Sequence, residues 1–253
     1  MYEFGSKIRY SETDSEGKLS LDALLNYFQD ASTFHSESLG VGLDYTKSLN
    51  LAWVLSSWQI VVKRYPKLCE DVIIGTFPYD FKGCMGGRNF YMKDATGEYV
   101  AYANSVWTLV DMENGKLCFP TEQMLESYVL SPKLEMEYAP RKISVPKESG
   151  EGVDGEWMEE IVVKQHHLDT NHHVNNGQYI RMALNLLPEG LVVTQMRAEY
   201  KKQAFLNDVL KPWVVKADNR TENGAALGSI YTVSLRDTEG KPYVNVEFTT
   251  REE

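Results

Sequence analysis

The chain has 253 residues, 43% of them hydrophobic, and a formal net charge of −10. This length predicts one large domain or two of about 120 residues, and the acidic balance excludes the broad basic surface that general nucleic-acid binding needs. Three cysteines without a C-x-x-C pair predict a reduced, cytoplasmic setting. The first residues show no signal or transit pattern, and no apolar run approaches the ~18 residues of a membrane span.

The first half of the chain predicts one long helix followed by several strands. Ser20 is a suitable N-cap residue, and apolar side chains recur at helical spacing from Leu21 to Ala31. Apolar and polar residues then alternate with the period of a strand at 58–63, 71–79, 88–93 and 98–110. Asp94-Ala95-Thr96-Gly97 predicts the hairpin turn between the last two strands.

The second half of the chain predicts the same order of elements. An apolar strand is expected from about 159 to 169, and then a helix through Tyr179 and Leu187 that stops near Pro188. Further strands are expected near 192–202, 208–216, 225–235 and 243–249. Asp237-Thr238-Glu239-Gly240 predicts the turn before the last of them.

Features of the first half recur in the second. The two Asp-x-x-Gly turns correspond to each other, and Asp14 before the first helix corresponds to Asp169 before the second. Asp71-Val72 corresponds to Asp208-Val209, with extra residues near 41–51 in the first copy. We interpret this pattern as an internal duplication, with two unrelated α+β domains as the alternative.

The predicted fold class is therefore α+β, with two tandem units at residues 1–130 and 155–253. In each unit an antiparallel sheet curls round the helix and buries its apolar stripe. The connector between them, 131–154, is rich in proline, lysine, glutamate and glycine, so we expect it to be exposed.

Four of the five histidines lie within eight residues, at 166, 167, 172 and 173. Asp169 and Asn171 lie between the two pairs, so the cluster has the groups for proton transfer near neutral pH. Asp169 is equally suited to a turn and Asn175 to a helix cap. Neighbouring imidazoles on a strand face opposite ways, and no H-E-x-x-H motif is present, which weighs against a metal site. His35, on the first helix, fits a packed core histidine.

The motifs that surround this cluster resemble those of the acyl-acyl-carrier-protein thioesterases, a family with a double hotdog fold. The strongest are D-x-N-x-H-V-N-N at 169–176 and E-Y-K-K at 199–202, with further matches at 53–57, 63–66 and 103–107. The resemblance runs nearly from end to end. It implies that each predicted unit is a hotdog, a long helix wrapped by an antiparallel sheet.

The resemblance also implies an activity, the hydrolysis of the thioester between a fatty acyl chain and acyl carrier protein, without cofactor or metal. The family's catalytic acid, amide and imidazole fall on Asp169, Asn171 and His173. A family glutamate falls on Gln203, and the cysteine that follows it falls on Ala204. A thiol nucleophile is therefore excluded at that position, and Gln203 orients a water but cannot act as its base. His173 is left as the candidate base.

Substrate binding involves both predicted units in this interpretation. We expect free N–H groups near Asn175, Asn176 and Gly177, at the start of the second helix, to stabilise the oxyanion. The resemblance places the acyl pocket in the first unit, where the candidates are Phe28, Trp53, Leu55 and Trp58. The candidates for docking the acidic carrier protein are Lys63, Arg64, Lys201 and Lys202. Each pocket residue fits a plain core equally well, and each cation fits a solvated surface.

Three alternatives stay open at this stage. An acyl-CoA thioesterase has the same fold, and a non-catalytic acyl-binding protein is made more plausible by Gln203. Within the proposed reaction, direct attack by Asp169 on the acyl carbon competes with attack by water. The chain is also expected to associate with acyl carrier protein and could form a homodimer.

Overall fold

The computed structural model describes residues 1–148, 153–169, 171–220 and 226–252. The chain divides into two compact units, Met1–Ala139 and Pro140–Glu253. Each unit is an antiparallel sheet with one main helix, as the sequence predicts. In the described part of the chain, no helix has the length and apolar character needed to cross a membrane.

The first unit contains five strands in the order β1-β3-β4-β5-β2, every neighbouring pair antiparallel. Helix α1 packs against β1 and β3, and its N-cap is Ser20, whose side chain accepts the N–H of Ala23 as predicted. The elements are β1 (Tyr2–Lys7), α1 (Leu21–Ser38), α2 (Leu43–Ser48), β2 (Leu51–Val62), β3 (Asp71–Lys82), β4 (Met85–Asp94), β5 (Tyr99–Asp111) and α3 (Glu122–Ser127).

Aromatic rings and one buried cation organise the interior of the first unit. Phe28, on α1, contacts the rings of Trp58 and Phe90 on the sheet, with centroids 6.3 and 5.5 Å away. His35 is buried, as predicted, and its Nδ1 lies 3.0 Å from the guanidinium of Arg88. Burial and the charge of Arg88 lower the pKa of His35 to about 3. The imidazole is therefore neutral and accepts a hydrogen bond from the guanidinium.

The second unit contains strands in the order β8-β11-β10-β9-β6, and β7 also pairs with β9. Helix α4 packs against β11 and buries Tyr179, Ile180, Met182 and Ala183. The elements are β6 (Asp154–Trp157), β7 (Ile161–Val162), α4 (Asn176–Leu184), β8 (Leu191–Tyr200), β9 (Val209–Arg220), β10 (Ala226–Arg236) and β11 (Pro242–Glu252).

Some predicted boundaries are wrong. The strand expected from 159 to 169 is only Ile161–Val162, followed by a 3₁₀ turn at Gln165–His167. The imidazole of His167 accepts the N–H of Lys164 at 3.0 Å and closes this turn, so the segment cannot continue as a strand. Helix α4 ends at Leu184, before Pro188. Strand β1 and the helices α2 and α3 were not predicted.

The connector is held more firmly than its composition suggests. Up to Ala139 it binds the first unit, where the buried amide of Gln59 contacts the main chain of Glu137 and Ala139. From Pro140 it binds the second unit, where the guanidinium of Arg197 donates to the carbonyls of Pro140 and Lys142. The described part of the connector, to residue 148, is therefore attached along its length rather than free in solvent.

The main chain before each long helix forms the same turn in both units. In the first unit, Oδ1 of Asp14 accepts the N–H groups of Glu16 and Lys18, and Gly17 has φ +73°. The Leu19 N–H then bonds the carbonyl of Pro66. The second unit repeats this arrangement around Asp169, as described below, and both Asp-x-x-Gly turns form as predicted. The two units therefore share one pattern of hydrogen bonds before their long helices, and the duplication inferred from sequence stays an interpretation.

Candidate active site

The candidate site is built on a tight turn from Asp169 to His173. Oδ1 of Asp169 accepts the N–H of Asn171 at 2.8 Å and that of His173 at 3.3 Å, and the Asp169 N–H donates to the carbonyl of His173. His172 takes φ +61°, the conformation that Gly17 adopts in the first unit. A single carboxylate thus holds the main chain at both Asn171 and His173.

The second part of the site is the segment that follows β8. The Val174 N–H donates to the carbonyl of Ala204 at 3.0 Å, which places Gln203 and Ala204 beside the turn. The ring of His173 packs edge-on against Phe205, with centroids 4.9 Å apart. The turn that carries Asp169, Asn171 and His173 therefore lies beside the segment that carries Gln203, about thirty positions further along the chain.

These side chains differ in their access to solvent. Asn171 and Gln203 are exposed, whereas Asp169 and His173 are half-buried. The carboxylate of Glu199, near the end of β8, accepts hydrogen bonds from the N–H of Ile143 and the ammonium of Lys201. Burial acts to raise the pKa of Glu199, but these hydrogen bonds outweigh it and the pKa is lowered. The carboxylate of Glu199 is therefore engaged by the fold, and the choice of His173 as the base stays a proposal.

The start of α4 offers fewer free N–H groups than the sequence suggested. Asn175 caps the helix through Oδ1, which accepts the Gly177 N–H at 2.8 Å. The Asn175 N–H donates to the carbonyl of His167 at 2.9 Å. Two of the three N–H groups expected to stabilise an oxyanion are therefore used by the fold, and that prediction is wrong for them. Asn176 keeps its carbonyl bonded to the hydroxyl of Tyr200.

His166 and His167 lie in the 3₁₀ turn that precedes the turn at Asp169. The rings of His166 and His167 lie 4.1 Å apart. Burial, with the nearby His166 and Lys164, lowers the pKa of His167, which suits its role as the acceptor for the Lys164 N–H. Among the described residues, no three histidine, cysteine, aspartate or glutamate side chains are grouped so as to hold a metal ion.

The predicted acyl-pocket residues all lie in the first unit. Phe28, Leu55 and Trp58 are buried in its core, and Trp53 is half-buried against Phe81. The indole N–H of Trp58 is buried and has no hydrogen-bond partner among the described residues. Their contacts are those of a packed core, so a role in binding an acyl chain stays a proposal.

Three of the four predicted docking cations are already paired within the chain. Arg64 bonds the carboxylates of Glu70 and Asp94. Lys201 pairs with Glu199, and Lys202 pairs with Asp237. Lys63 lies over the ring of Tyr102. Because paired charges attract a partner less than free ones, docking through these residues also stays a proposal.

The fold of the two units indicates the class of protein. A helix packed on an antiparallel sheet, occurring twice and each time preceded by a polar turn, is a double hotdog fold. Among solved structures, the chain is similar to the 12:0-ACP thioesterase from Umbellularia californica, with a TM-score of 0.84 and 18% identity over 100% of this chain and 94% of that one. It is also similar to an acyl-ACP thioesterase from Bacteroides thetaiotaomicron, with a TM-score of 0.83 and 19% identity over 99% and 97% of the two chains.

Sequence comparison gives the particular family. Residues 1–128 match the family model for the acyl-ACP thioesterase N-terminal domain, and residues 150–245 match the model for the C-terminal domain. The chain therefore belongs to the acyl-ACP thioesterase family, as its motifs indicated.

The curated relatives are longer than this chain, which covers only part of each of them. A chloroplastic palmitoyl-acyl carrier protein thioesterase from Gossypium hirsutum is 27% identical, over 87% of this chain and 56% of its own. A chloroplastic acyl-[acyl-carrier-protein] hydrolase from Cuphea viscosissima is 28% identical, over 91% of this chain and 57% of its own. The chain thus spans a little more than half the length of these relatives.

Proposed function

We propose that the protein hydrolyses fatty acyl-acyl-carrier-protein thioesters, releasing the free fatty acid and the carrier protein. The observation that supports this most directly is the turn in which Asp169 holds Asn171 and His173 beside Gln203. Membership of the acyl-ACP thioesterase family and the names of the curated relatives support the same substrate class.

The proposed reaction uses water as the nucleophile. The imidazole of His173 takes a proton from a water held by the amides of Asn171 and Gln203, and the water oxygen bonds to the thioester carbon. The tetrahedral intermediate then collapses, the carbon–sulfur bond breaks, and the thiolate takes the proton back from the imidazolium. A thiol has a pKa of about 8.5, so its thiolate leaves without strong acid assistance. General base catalysis of this kind contributes about 10²–10⁴-fold.

In this mechanism Asp169 acts by orientation. Its Oδ1 is engaged by two main-chain N–H groups, and a carboxylate oxygen that accepts two hydrogen bonds is a weaker nucleophile than a free one. We place the acyl chain in the first unit, near Phe28, Trp53, Leu55 and Trp58. Carrier-protein docking at Lys63, Arg64, Lys201 and Lys202 belongs to the same proposal.

The test is a hydrolysis panel in which acyl groups of several lengths are presented on acyl carrier protein and on coenzyme A. We expect faster turnover on the carrier protein, and a loss of about 10²–10⁴-fold in kcat for His173→Ala. His172→Asn is the matched control, because asparagine tolerates the positive φ at that position, and it should keep wild-type turnover.

Other outcomes identify the alternatives. Faster turnover on coenzyme A indicates an acyl-CoA thioesterase. Binding of acyl carriers without release of fatty acid from the wild type indicates a non-catalytic acyl-binding protein. Full activity of His173→Ala contradicts the assignment of the base.

A further inference from the structure

The peptide group between Gln203 and Ala204 is fixed by a hydroxyl from α4. The Ala204 N–H donates to the Oη of Tyr179 at 2.8 Å, while the Ala204 carbonyl accepts the N–H of Val174. Tyr179 and Ala204 are both buried. A peptide group is planar, so a bond to the Ala204 N–H also orients the carbonyl of Gln203 and the main chain from which its side chain projects.

The first unit shows that the fold does not need this hydrogen bond. There the Leu19 N–H bonds the carbonyl of Pro66, as Val174 bonds Ala204. Proline has no N–H to donate. Leu24 lies four residues after the N-cap Ser20, as Tyr179 lies four residues after the N-cap Asn175, and leucine has no hydroxyl to accept. The same turn and the same link therefore form without either partner.

We propose that Tyr179 is a positioning residue, whose hydroxyl holds the Gln203–Ala204 peptide so that Gln203 faces the His173 turn. This inference rests on the proposed thioester hydrolysis. Within the duplicated fold the hydrogen bond occurs in the unit that carries the imidazole, and in the first unit apolar residues replace both partners.

The surroundings of Tyr179 disfavour ionisation of its hydroxyl. Burial raises the pKa of Tyr179, the hydrogen bond from Ala204 acts to lower it, and the nearby Tyr243, Asp208 and Asp169 act to raise it, so that on balance the pKa is raised. The phenol is therefore neutral at physiological pH. Its ring is additionally held by Tyr200, whose ring centroid lies 6.2 Å away.

The first experiment is Tyr179→Phe, which removes only the hydroxyl. We expect kcat on the preferred acyl-acyl-carrier-protein to fall by about 10–100-fold, since a small displacement of a catalytic group can cost that much, while KM is unchanged. Tyr27→Phe is the matched control, because its hydroxyl bonds Glu12 and Ser6 in the first unit. It should lower stability to a similar extent and leave kcat unchanged. Wild-type kcat in Tyr179→Phe overturns the inference.

The second experiment distinguishes two roles of the Tyr179 hydroxyl, positioning Gln203 and merely providing a hydrogen-bond partner for the buried N–H of Ala204. Ala204→Pro places in the second unit the residue that the first unit has at Pro66, so the double variant Tyr179→Phe/Ala204→Pro leaves no unpaired N–H. We expect the double variant to be more stable to heat than Tyr179→Phe. Its kcat should nevertheless be as low as that of either single variant, because the two single variants and the double variant all remove the same hydrogen bond. Recovery of wild-type kcat in the double variant shows that Tyr179 has a structural role alone, which overturns the inference.

A third measurement does not depend on activity. Amide hydrogen exchange at Ala204 should accelerate about tenfold or more in Tyr179→Phe, while exchange at Leu19, the first-unit counterpart of Val174, stays the same. Unchanged exchange at Ala204 overturns the inference even in an active enzyme. A wild type that hydrolyses no thioester overturns the proposed function instead, and is recognised by the absence of turnover alongside the altered exchange.

Discussion

The duplicated turn allows the structural and catalytic effects of one side chain to be separated. Asp14 and Asp169 make the same two hydrogen bonds to the main chain, at 3.0 and 2.9 Å in the first unit and at 2.8 and 3.3 Å in the second. Replacing either aspartate by alanine removes both bonds. Hydrogen bonds to charged groups contribute up to a few kcal/mol when buried and less near solvent, so we expect each variant to lose about 1–3 kcal/mol of unfolding free energy.

The two variants should differ in activity. Asp14→Ala leaves the second unit intact and should keep wild-type kcat. Asp169→Ala releases the main chain at Asn171 and His173, and we expect kcat to fall by about 100-fold, the effect of misplacing a catalytic group. Urea unfolding measures the stability of both variants, and hydrolysis of an acyl-acyl-carrier-protein measures their activity. Equal losses of kcat in both variants, or none in Asp169→Ala, refute the reasoning.

Three further predictions concern single side chains. The pKa of His35 in the folded chain is lowered to about 3, so below pH ~6.5 the unfolded chain binds a proton at this residue and the folded chain does not. The free energy of unfolding should therefore fall by roughly 1.4 kcal/mol per pH unit below that value. Urea titrations at pH 7 and pH 5 should show a smaller fall in His35→Gln. Asp169→Asn keeps an oxygen that accepts both N–H groups, so kcat should fall far less than in Asp169→Ala when the two are assayed together. Asn175→Ala removes the cap of α4 and should cost about 1 kcal/mol in thermal unfolding.

Local chemistry explains what was predictable from sequence. The Asp-x-x-Gly turns form because an aspartate oxygen accepts nearby N–H groups while glycine adopts a positive φ, at Gly97 and at Gly240. Ser20 was recognised as a cap for the same reason. The correspondence of Asp14 with Asp169 was visible because both lie before a helix, and the structure extends it to a shared pattern of hydrogen bonds.

The failures arise where side chains compete with the regular pattern. The strand expected up to residue 169 stops because the imidazole of His167 closes a 3₁₀ turn. Of the free N–H groups expected at α4, that of Gly177 bonds the cap residue Asn175 and that of Asn175 bonds the carbonyl of His167. The proximity of Gln203 to His173 depends on the link from Val174 to Ala204. Such a link joins distant parts of the chain, so only the family resemblance indicated it.

Tyr179 illustrates a residue that sequence reasoning assigned to helix packing alone. Its hydroxyl bonds a main-chain N–H that lies 25 residues away in sequence, and no motif marks such a bond. Comparison of the two halves supplies the signal. Position 204 is alanine where the first unit has Pro66, and position 179 is tyrosine where it has Leu24.

The central claim is that a water activated by His173, and not Asp169, attacks the acyl carbon. A single turnover in H₂¹⁸O, with enzyme in excess over acyl-acyl-carrier-protein, tests it directly. We predict ¹⁸O in the released fatty acid and none in the peptide that contains Asp169. An unlabelled fatty acid together with ¹⁸O in Asp169 contradicts the account, because that pattern requires an acyl anhydride on the carboxylate.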